Sequence, residues 1–264
     1  MKFGLSTWSL LRSDLYSAIA AIGDAGFDYI ELWGEVPHAY HDWIDRRRLK
    51  DALSAYSFTK TMHAPFTDLN PATPFDPVKG AVAKTLKDFV RFSEDLGAVR
   101  ITLHPGSVHS GALVSQSMAD AVSLLNKLVK ESSGTVGINV ENQPRSHSHY
   151  HFPVGDNPES IQALLSNVEG SSYTLDTGHA HVNGDKPLRL FERFSADVTE
   201  IHLHDNGGSE DEHLFPGSGT AGLDGLLERV KGTEVLVCLE ANPFKYSADE
   251  VIRTATRFKE SGHF

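Results

Sequence analysis

The chain is organised around residues 201–219, which read IHLHDNGGSEDEHLFPGSG. Residues of a strand alternate between its two faces, so the opening strand would place His202 and His204 on one face. Asp211 and His213 are also two residues apart, and an extended segment would present both on one side. Imidazoles and carboxylates are good ligands for Zn²⁺ and Mn²⁺, so the stretch has the composition of a metal site. Taken by itself, it fits a polar loop with solvated histidines equally well.

Around this stretch the chain repeats a short apolar run, a loop and an amphipathic helix. Strands are expected at residues 3–8, 29–33, 58–63, 99–104, 136–141, 173–176, 199–204 and 234–240. Helices are expected at residues 15–25, 41–55, 78–96, 115–129, 158–165, 187–194, 222–230 and 248–259. These cycles predict an α/β fold, a (β/α)8 TIM barrel that forms a single domain over residues 1–264. An open nucleotide-binding sheet would need a glycine-rich turn after the first strand, and residues 6–9 (STWS) have none.

Charge and composition limit the classes of partner and the cellular compartment that we expect for this protein. The net charge of −11, from 24 basic and 35 acidic residues, argues against duplex DNA and anionic membranes as partners, because phosphate contacts need a basic surface. The single cysteine, Cys238, offers no disulfide framework, which favours a reducing compartment. We see no signal-peptide pattern and no run of about 18 apolar residues. The expectation is a cytoplasmic protein without a membrane span.

The ends of the predicted strands carry the chemistry. In a TIM barrel the active site lies at the C-terminal ends of the strands, so the residues there face one opening. The acids and histidines at those ends and in the adjoining loops are His63, His104, Glu141, Asp176, His179, His202, Asp211, His213 and Glu240. Burying so many acids and imidazoles together would be costly without a cation between them. The sequence therefore predicts a divalent metal site at this opening.

With these residues in place, the chain resembles the xylose-isomerase-like TIM barrels, the superfamily that includes endonuclease IV and the sugar-phosphate isomerases and epimerases. Four residues resemble the metal ligands shared by both branches: Glu141, Asp176, His202 and Glu240. The additional ligands of the endonuclease IV branch resemble His63, His104 (in HPGS), His179 (in DTGHA), and Asp211 with His213 (in DEHLFPGSG). The resemblance implies up to three ions, with Zn²⁺ expected first and Mn²⁺ as the alternative.

By the same resemblance, Glu141 would bridge two ions. One would be held by His63, His104 and Glu141, the second by Glu141 with Asp176, His202 and Glu240, and the third by His179, Asp211 and His213. The loops depart from endonuclease IV, because the chain is short and lacks obvious basic or aromatic segments for gripping DNA. It also departs from the epimerases, which usually carry an Arg near the position of His213.

Three functions remain open. The leading expectation is an endonuclease IV-like multinuclear hydrolase of a small sugar-phosphate-type substrate, with Glu141 bridging the ions and Glu240 orienting the water. The second is a sugar or sugar-phosphate isomerase or epimerase with one ion, in which Glu141 and Glu240 move protons on opposite faces of a carbon. The third is a metal-binding or ligand-binding barrel without activity. The first two take a small phosphorylated or sugar substrate.

Further residues have expected supporting roles. Trp8, His204 and Asp205 are expected to contact the substrate or to support the ligands. Glu31, within the second strand, is expected to face inward and to pair with a Lys or Arg. The loop histidines His147, His149 and His151 are expected to be solvated, with a place at the rim of the pocket as the alternative.

Overall fold

The parallel strands of the barrel follow one another around it in chain order. The computed structural model describes residues 1–132, 134–145 and 150–262, and this part closes as an eight-stranded barrel. Its strands are β1 (Lys2–Ser6), β2 (Tyr29–Trp33), β3 (Thr59–His63), β4 (Arg100–Leu103), β5 (Gly137–Glu141), β6 (Ser172–Asp176), β7 (Val198–Leu203) and β8 (Leu236–Leu239). Strand β8 pairs with β1, with Leu236 opposite Lys2, and this pairing completes the closure. The predicted (β/α)8 TIM barrel is confirmed.

Helices cover the outside of the barrel. They are α1 (Leu15–Asp24), α2 (Arg46–Ser54), α3 (Asp76–Asp95), α4 (Val114–Glu131), α5 (Pro158–Asn167), α6 (Thr177–Val182), α7 (Pro187–Arg193), α8 (Asp224–Val230) and α9 (Ala248–Glu260). Short 3₁₀ turns precede two of them, at Thr7–Leu10 and Gly111–Leu113. Asp14 caps α1 by accepting the amides of Tyr16 and Ser17, which satisfies donors that the helix itself cannot use. None of the described helices is long and apolar enough to cross a membrane.

Apolar and polar residues divide between the two sides of the sheet. Ile30, Leu32 and Ile101 belong to the buried apolar core of the protein. Polar side chains fill much of the barrel interior, where Thr61 Oγ1 donates to Glu200 Oε1 at 2.8 Å. Asn139 Nδ2 likewise donates to Thr174 Oγ1 at 3.0 Å. The interior below the opening is therefore held by hydrogen bonds rather than by the branched apolar residues common in such barrels.

Two features of the fold have no counterpart in the sequence prediction. Helix α6 begins directly after Asp176, whose carboxylate accepts the His179 amide at 2.7 Å as the N-cap. A two-stranded antiparallel ribbon pairs Ser107–Val108 with Phe152–Pro153 and joins the loops after β4 and β5; we call it the rim ribbon. Both elements are too short to leave a periodic pattern in the sequence. His147 and His149, predicted to be solvated, lie outside the described residues.

Candidate metal centre and active site

The predicted strand-end residues meet at one end of the barrel. His63, Glu141 and Asp176 are the last residues of β3, β5 and β6, and His202 lies within β7. His104 and Glu240 each follow the last residue of their strand. All except His104 are at most 5% exposed, which is unusual for so many ionisable side chains. These residues lie at the same end of the barrel because the strands are parallel. Asp176 of β6, for example, pairs directly with His202 of β7.

Glu141 lies at the centre of a first group of ligand-type atoms. Its Oε2 is 2.9 Å from His104 Nε2 and 3.5 Å from His63 Nε2. Its Oε1 is 3.1 Å from His202 Nδ1. Burial opposes ionisation of this carboxyl, but the His104 and His202 imidazoles outweigh it and hold the pKa of Glu141 well below its usual range. Glu141 is thus a carboxylate in its ionised form.

Glu240 approaches the same nitrogen from another strand but has a different electrostatic environment. Its Oε2 lies 3.6 Å from His202 Nδ1. Burial raises the pKa of Glu240 to about 7, although the nearby His202 favours the ionised form. The two carboxyl groups therefore sit at one imidazole with pKa values displaced in opposite directions, an arrangement typical of paired acid–base groups.

A second group surrounds Asp211. Asp211 Oδ2 lies 3.2 Å from His179 Nε2 and 3.1 Å from His213 Nε2. His204 completes it, with Nδ1 3.8 Å from Asp211 Oδ1 and with its ring stacked on His213 at 3.7 Å. His213 has a left-handed backbone, with φ 49°, which is uncommon for a residue other than glycine and concentrates at functional sites.

Tautomers and unsatisfied oxygens show that these residues fit a divalent cation. His63 Nδ1–H donates to the Ala64 carbonyl at 2.9 Å, and His179 Nδ1–H donates to the Asn142 carbonyl at 2.8 Å. In the neutral form, the lone pair of each ring is then on Nε2, which faces a carboxylate oxygen. Asp211 Oδ1 is buried and accepts no hydrogen bond from the described residues, and Glu141 Oε2, also buried, faces His104 Nε2 at 2.9 Å without the alignment of a hydrogen bond. A cation fits between a ring nitrogen lone pair and the carboxylate oxygen that it faces. Eight of the nine predicted ligands lie in groups of residues that could hold a cation, and His104 lies beside such a group.

The residues predicted to support the ligands have separate positions. Trp8 lines the cavity above the ligands, with its ring 4.5 Å from that of His213. His204 Nε2 is 2.9 Å from Asp176 Oδ2, so it contacts a predicted ligand. Asp205 is directed into its own loop, where it accepts the amides of Asn206 and Ala221 on Oδ1 and those of Gly217 and Gly219 on Oδ2. Its contacts organise the loop that carries Asp211 and His213.

A cavity of 590 Å³ opens above the two groups. Trp33 and Phe66 add aromatic walls beside Trp8, and no Lys or Arg lines the cavity in the described ranges 1–132, 134–145 and 150–262. Sequence reasoning missed the outer polar residues Asn70, Ser107 and His109. It preferred a solvated loop to the pocket rim for His151, which lines the cavity. The rim ribbon brings His109 and His151 together, with ring centroids 5.7 Å apart. Only the closeness of His109 to the HPGS motif could have suggested its position.

With this geometry established, the family can be identified. A family model described as xylose isomerase-like TIM barrel matches residues 19–259. The chain belongs to this family. An uncharacterised protein of Methanocaldococcus jannaschii is 28% identical over 98% of this chain and 87% of its own length. A solved structure described as a D-tagatose 3-epimerase-like protein superimposes with a TM-score of 0.86 at 26% identity, covering 98% of this chain and 96% of that one.

Named relatives of this xylose isomerase-like TIM barrel include an epimerase and a probable endonuclease. Fructoselysine 3-epimerase of Escherichia coli O157:H7 is 21% identical over 87% of this chain and 86% of its own length. A probable endonuclease 4 of Pediococcus pentosaceus is 29% identical, but over 62% of this chain and 59% of its own length. The chain is an enzyme, and these relatives favour the isomerase or epimerase expectation over our leading expectation of a hydrolase.

Proposed function

We propose that this chain is a divalent-metal-dependent epimerase or isomerase of a small ketose. The observation that carries the proposal is the pair Glu141 and Glu240, which approach one nitrogen of His202 from two strands. Epimerisation removes a proton from one face of a carbon and returns one to the other face, and two carboxyl groups suit this exchange. The name of the fructoselysine relative and the description of the D-tagatose 3-epimerase-like structure support the same reaction class.

Glu141, Asp176, His202 and Glu240 would hold the principal cation. When bound, a divalent cation polarises the carbonyl and hydroxyl oxygens of a ketose, which acidifies the proton on the carbon between them. Zn²⁺ and Mn²⁺ both suit this mixture of imidazole and carboxylate ligands. The Asp211 group, with His179 and His213, is suited to an additional cation.

The protein's own residues would divide the proton transfers. Glu141 would take the proton from the substrate carbon, and Glu240, which approaches His202 Nδ1 from another strand end, would return one on the opposite face. The reverse direction would exchange these roles. Trp8, Trp33 and Phe66 would pack on the carbon skeleton of the sugar and keep bulk water from the exchanging proton.

The proposal is tested by supplying purified chain, loaded with Zn²⁺ or Mn²⁺, with a panel of free ketoses in D₂O. We expect solvent deuterium at the carbon that epimerises, detected by NMR. Glu141→Gln and Glu240→Gln should each lower the rate by about 10²- to 10⁴-fold, the usual contribution of a general acid or base. Glu159→Gln is the matched control, because Glu159 pairs with Arg193 outside the cavity and should leave the rate unchanged.

One observation keeps phosphoester hydrolysis as a second candidate. His63, His104, His179, Asp211 and His213 are more ligand-type groups than one cation needs, and clustered cations suit phosphoester chemistry. Phosphoesters therefore belong in the same panel. Hydrolysis of a sugar phosphate, with no deuterium entering any ketose, would refute the epimerase proposal and favour the hydrolase.

A further inference from the structure

Glu31 lies one layer below the site, in the middle of β2, and is fully buried. The expected Lys or Arg partner is not present among the described residues. Instead, Glu31 Oε2 lies 3.0 Å from Nε2 of His202, which is itself fully buried. The other polar neighbours of the Glu31 carboxylate include two weak or neutral donors, the Cys238 thiol at 3.8 Å and the Ser6 hydroxyl, and the buried carboxyl group of Glu200, which has an oxygen within 4.8 Å. A buried carboxylate with these partners is costly to maintain by packing alone, which points to a role at His202.

His202 has carboxylates at both of its ring nitrogens. Nε2 faces Glu31, whereas Nδ1 faces Glu141 Oε1 at 3.1 Å and Glu240 Oε2 at 3.6 Å. A neutral imidazole carries one N–H, so the carboxylate that accepts this hydrogen decides which nitrogen keeps the lone pair. Only the tautomer with hydrogen on Nε2 leaves a lone pair on the side of the two catalytic carboxylates.

We propose that Glu31 is a positioning residue, which accepts the Nε2–H of His202 and so holds Nδ1 unprotonated and aimed at the cation. The inference rests on the proposed function, because it assumes that a divalent cation is bound between Glu141, Asp176, His202 and Glu240. An acceptor behind a ligating imidazole fixes both the tautomer and the rotation of the ring. Glu31 does this from β2, three strands from β7 around the barrel and 171 residues away in the chain.

Glu200 provides a matched control. It is also fully buried in the barrel interior, and its carboxyl group accepts hydrogen bonds from Thr61 and Tyr29. One of its oxygens lies within 4.8 Å of a His202 ring nitrogen but makes no hydrogen bond to it among the described residues. Replacing Glu200 therefore also removes a buried carboxyl group but leaves the Nε2–H of His202 with its acceptor.

The test measures Zn²⁺ affinity of the whole chain by competition with a chromophoric chelator. Glu31→Leu should weaken binding by about 10- to 100-fold, the usual effect of losing such an acceptor. Glu31→Gln keeps a carbonyl oxygen that accepts the same hydrogen and should bind within a few-fold of wild type, as should Glu200→Leu. Wild-type affinity in Glu31→Leu, or an equal loss in Glu200→Leu, would overturn the inference.

A second measurement holds even if Glu31→Leu fails to fold. In the Zn²⁺-loaded wild type, ¹⁵N NMR of labelled histidine should show His202 protonated on Nε2, and Glu31→Gln should keep that signature. Protonation on Nδ1 would refute the positioning role. The proposed function is judged separately. If the chain shows these affinities and this tautomer but epimerises no ketose, the epimerase proposal is refuted and the role of Glu31 is retained.

Discussion

Neighbouring histidines on one short helix have different surroundings. His179 and His181 both lie on α6, but the helical turn directs them differently. His179 is 5% exposed and its Nε2 lies 3.2 Å from Asp211, whereas His181 Nε2 bonds Thr220 Oγ1 at 2.9 Å away from the cavity. Residue type and position in the sequence therefore do not by themselves determine whether an imidazole reaches the proposed cations.

This pair gives a test of the Asp211 group. His179→Ala should lose about one equivalent of Zn²⁺ after exhaustive dialysis, since removing one of few ligands opens the site. His181→Ala should keep the wild-type content, which elemental mass spectrometry measures directly. Equal metal content in the two variants would contradict a cation site at Asp211.

At the scale of the element, α6 packs so closely on the residue that follows β7 that a glycine is required at the contact. A Cβ added at Gly178 would lie 2.0 Å from Cε1 of the buried His204 ring. By contrast, Gly80 is exposed on α3 and has open space where a Cβ would stand. Substitutions at the two glycines therefore distinguish the effect of close packing from the backbone entropy cost of a glycine in a helix.

Alanine substitutions at these glycines should therefore have opposite effects on stability. Gly178→Ala should lower the free energy of unfolding by about 1–3 kcal/mol, because overpacking moves the His204 ring or the helix. Gly80→Ala should raise it by about 0.5–1 kcal/mol, because alanine loses less backbone entropy in a helix. Urea unfolding followed by circular dichroism measures both, and a neutral Gly178→Ala would show that α6 adjusts without cost.

At the scale of the whole molecule, the charge distribution bears on the substrate. The net charge is −11, and the loop residues 207–212 carry three acids and no base. Asp68 lines the cavity from the loop after β3, and residues 65–77 also contain no base. A duplex laid across this face would meet repulsion with few basic side chains to contact its phosphates.

We therefore expect no submicromolar binding to abasic duplex DNA at about 150 mM salt, where the Debye length is about 8 Å. Fluorescence anisotropy of a labelled duplex measures binding, and a gel assay detects incision. Preparations active on a ketose serve as the control for a correctly loaded site. Tight binding with incision at the abasic position would place the chain with its probable endonuclease 4 relatives instead.

Much of this site could be predicted from sequence, and the reason is topological. Parallel strands of a closed barrel end at one face, so a residue such as Glu141 or Glu240 could be placed there from strand order alone. The partner of Glu31 could not, because the contact with His202 depends on which residues share a layer across the barrel. The positions of His109 and His151 also could not, because the rim ribbon pairs loops that are distant in the chain and too short to show a pattern.

The rim ribbon has a consequence for engineering. Because Ser107–Val108 and Phe152–Pro153 form one antiparallel pair, the loops after β4 and β5 share backbone hydrogen bonds although each follows a different strand. Grafting one of these loops from a homologue would leave the strand of the other loop without its hydrogen-bonding partner. The two loops should therefore be transplanted together, as a single cassette, when the substrate preference of this barrel is redesigned.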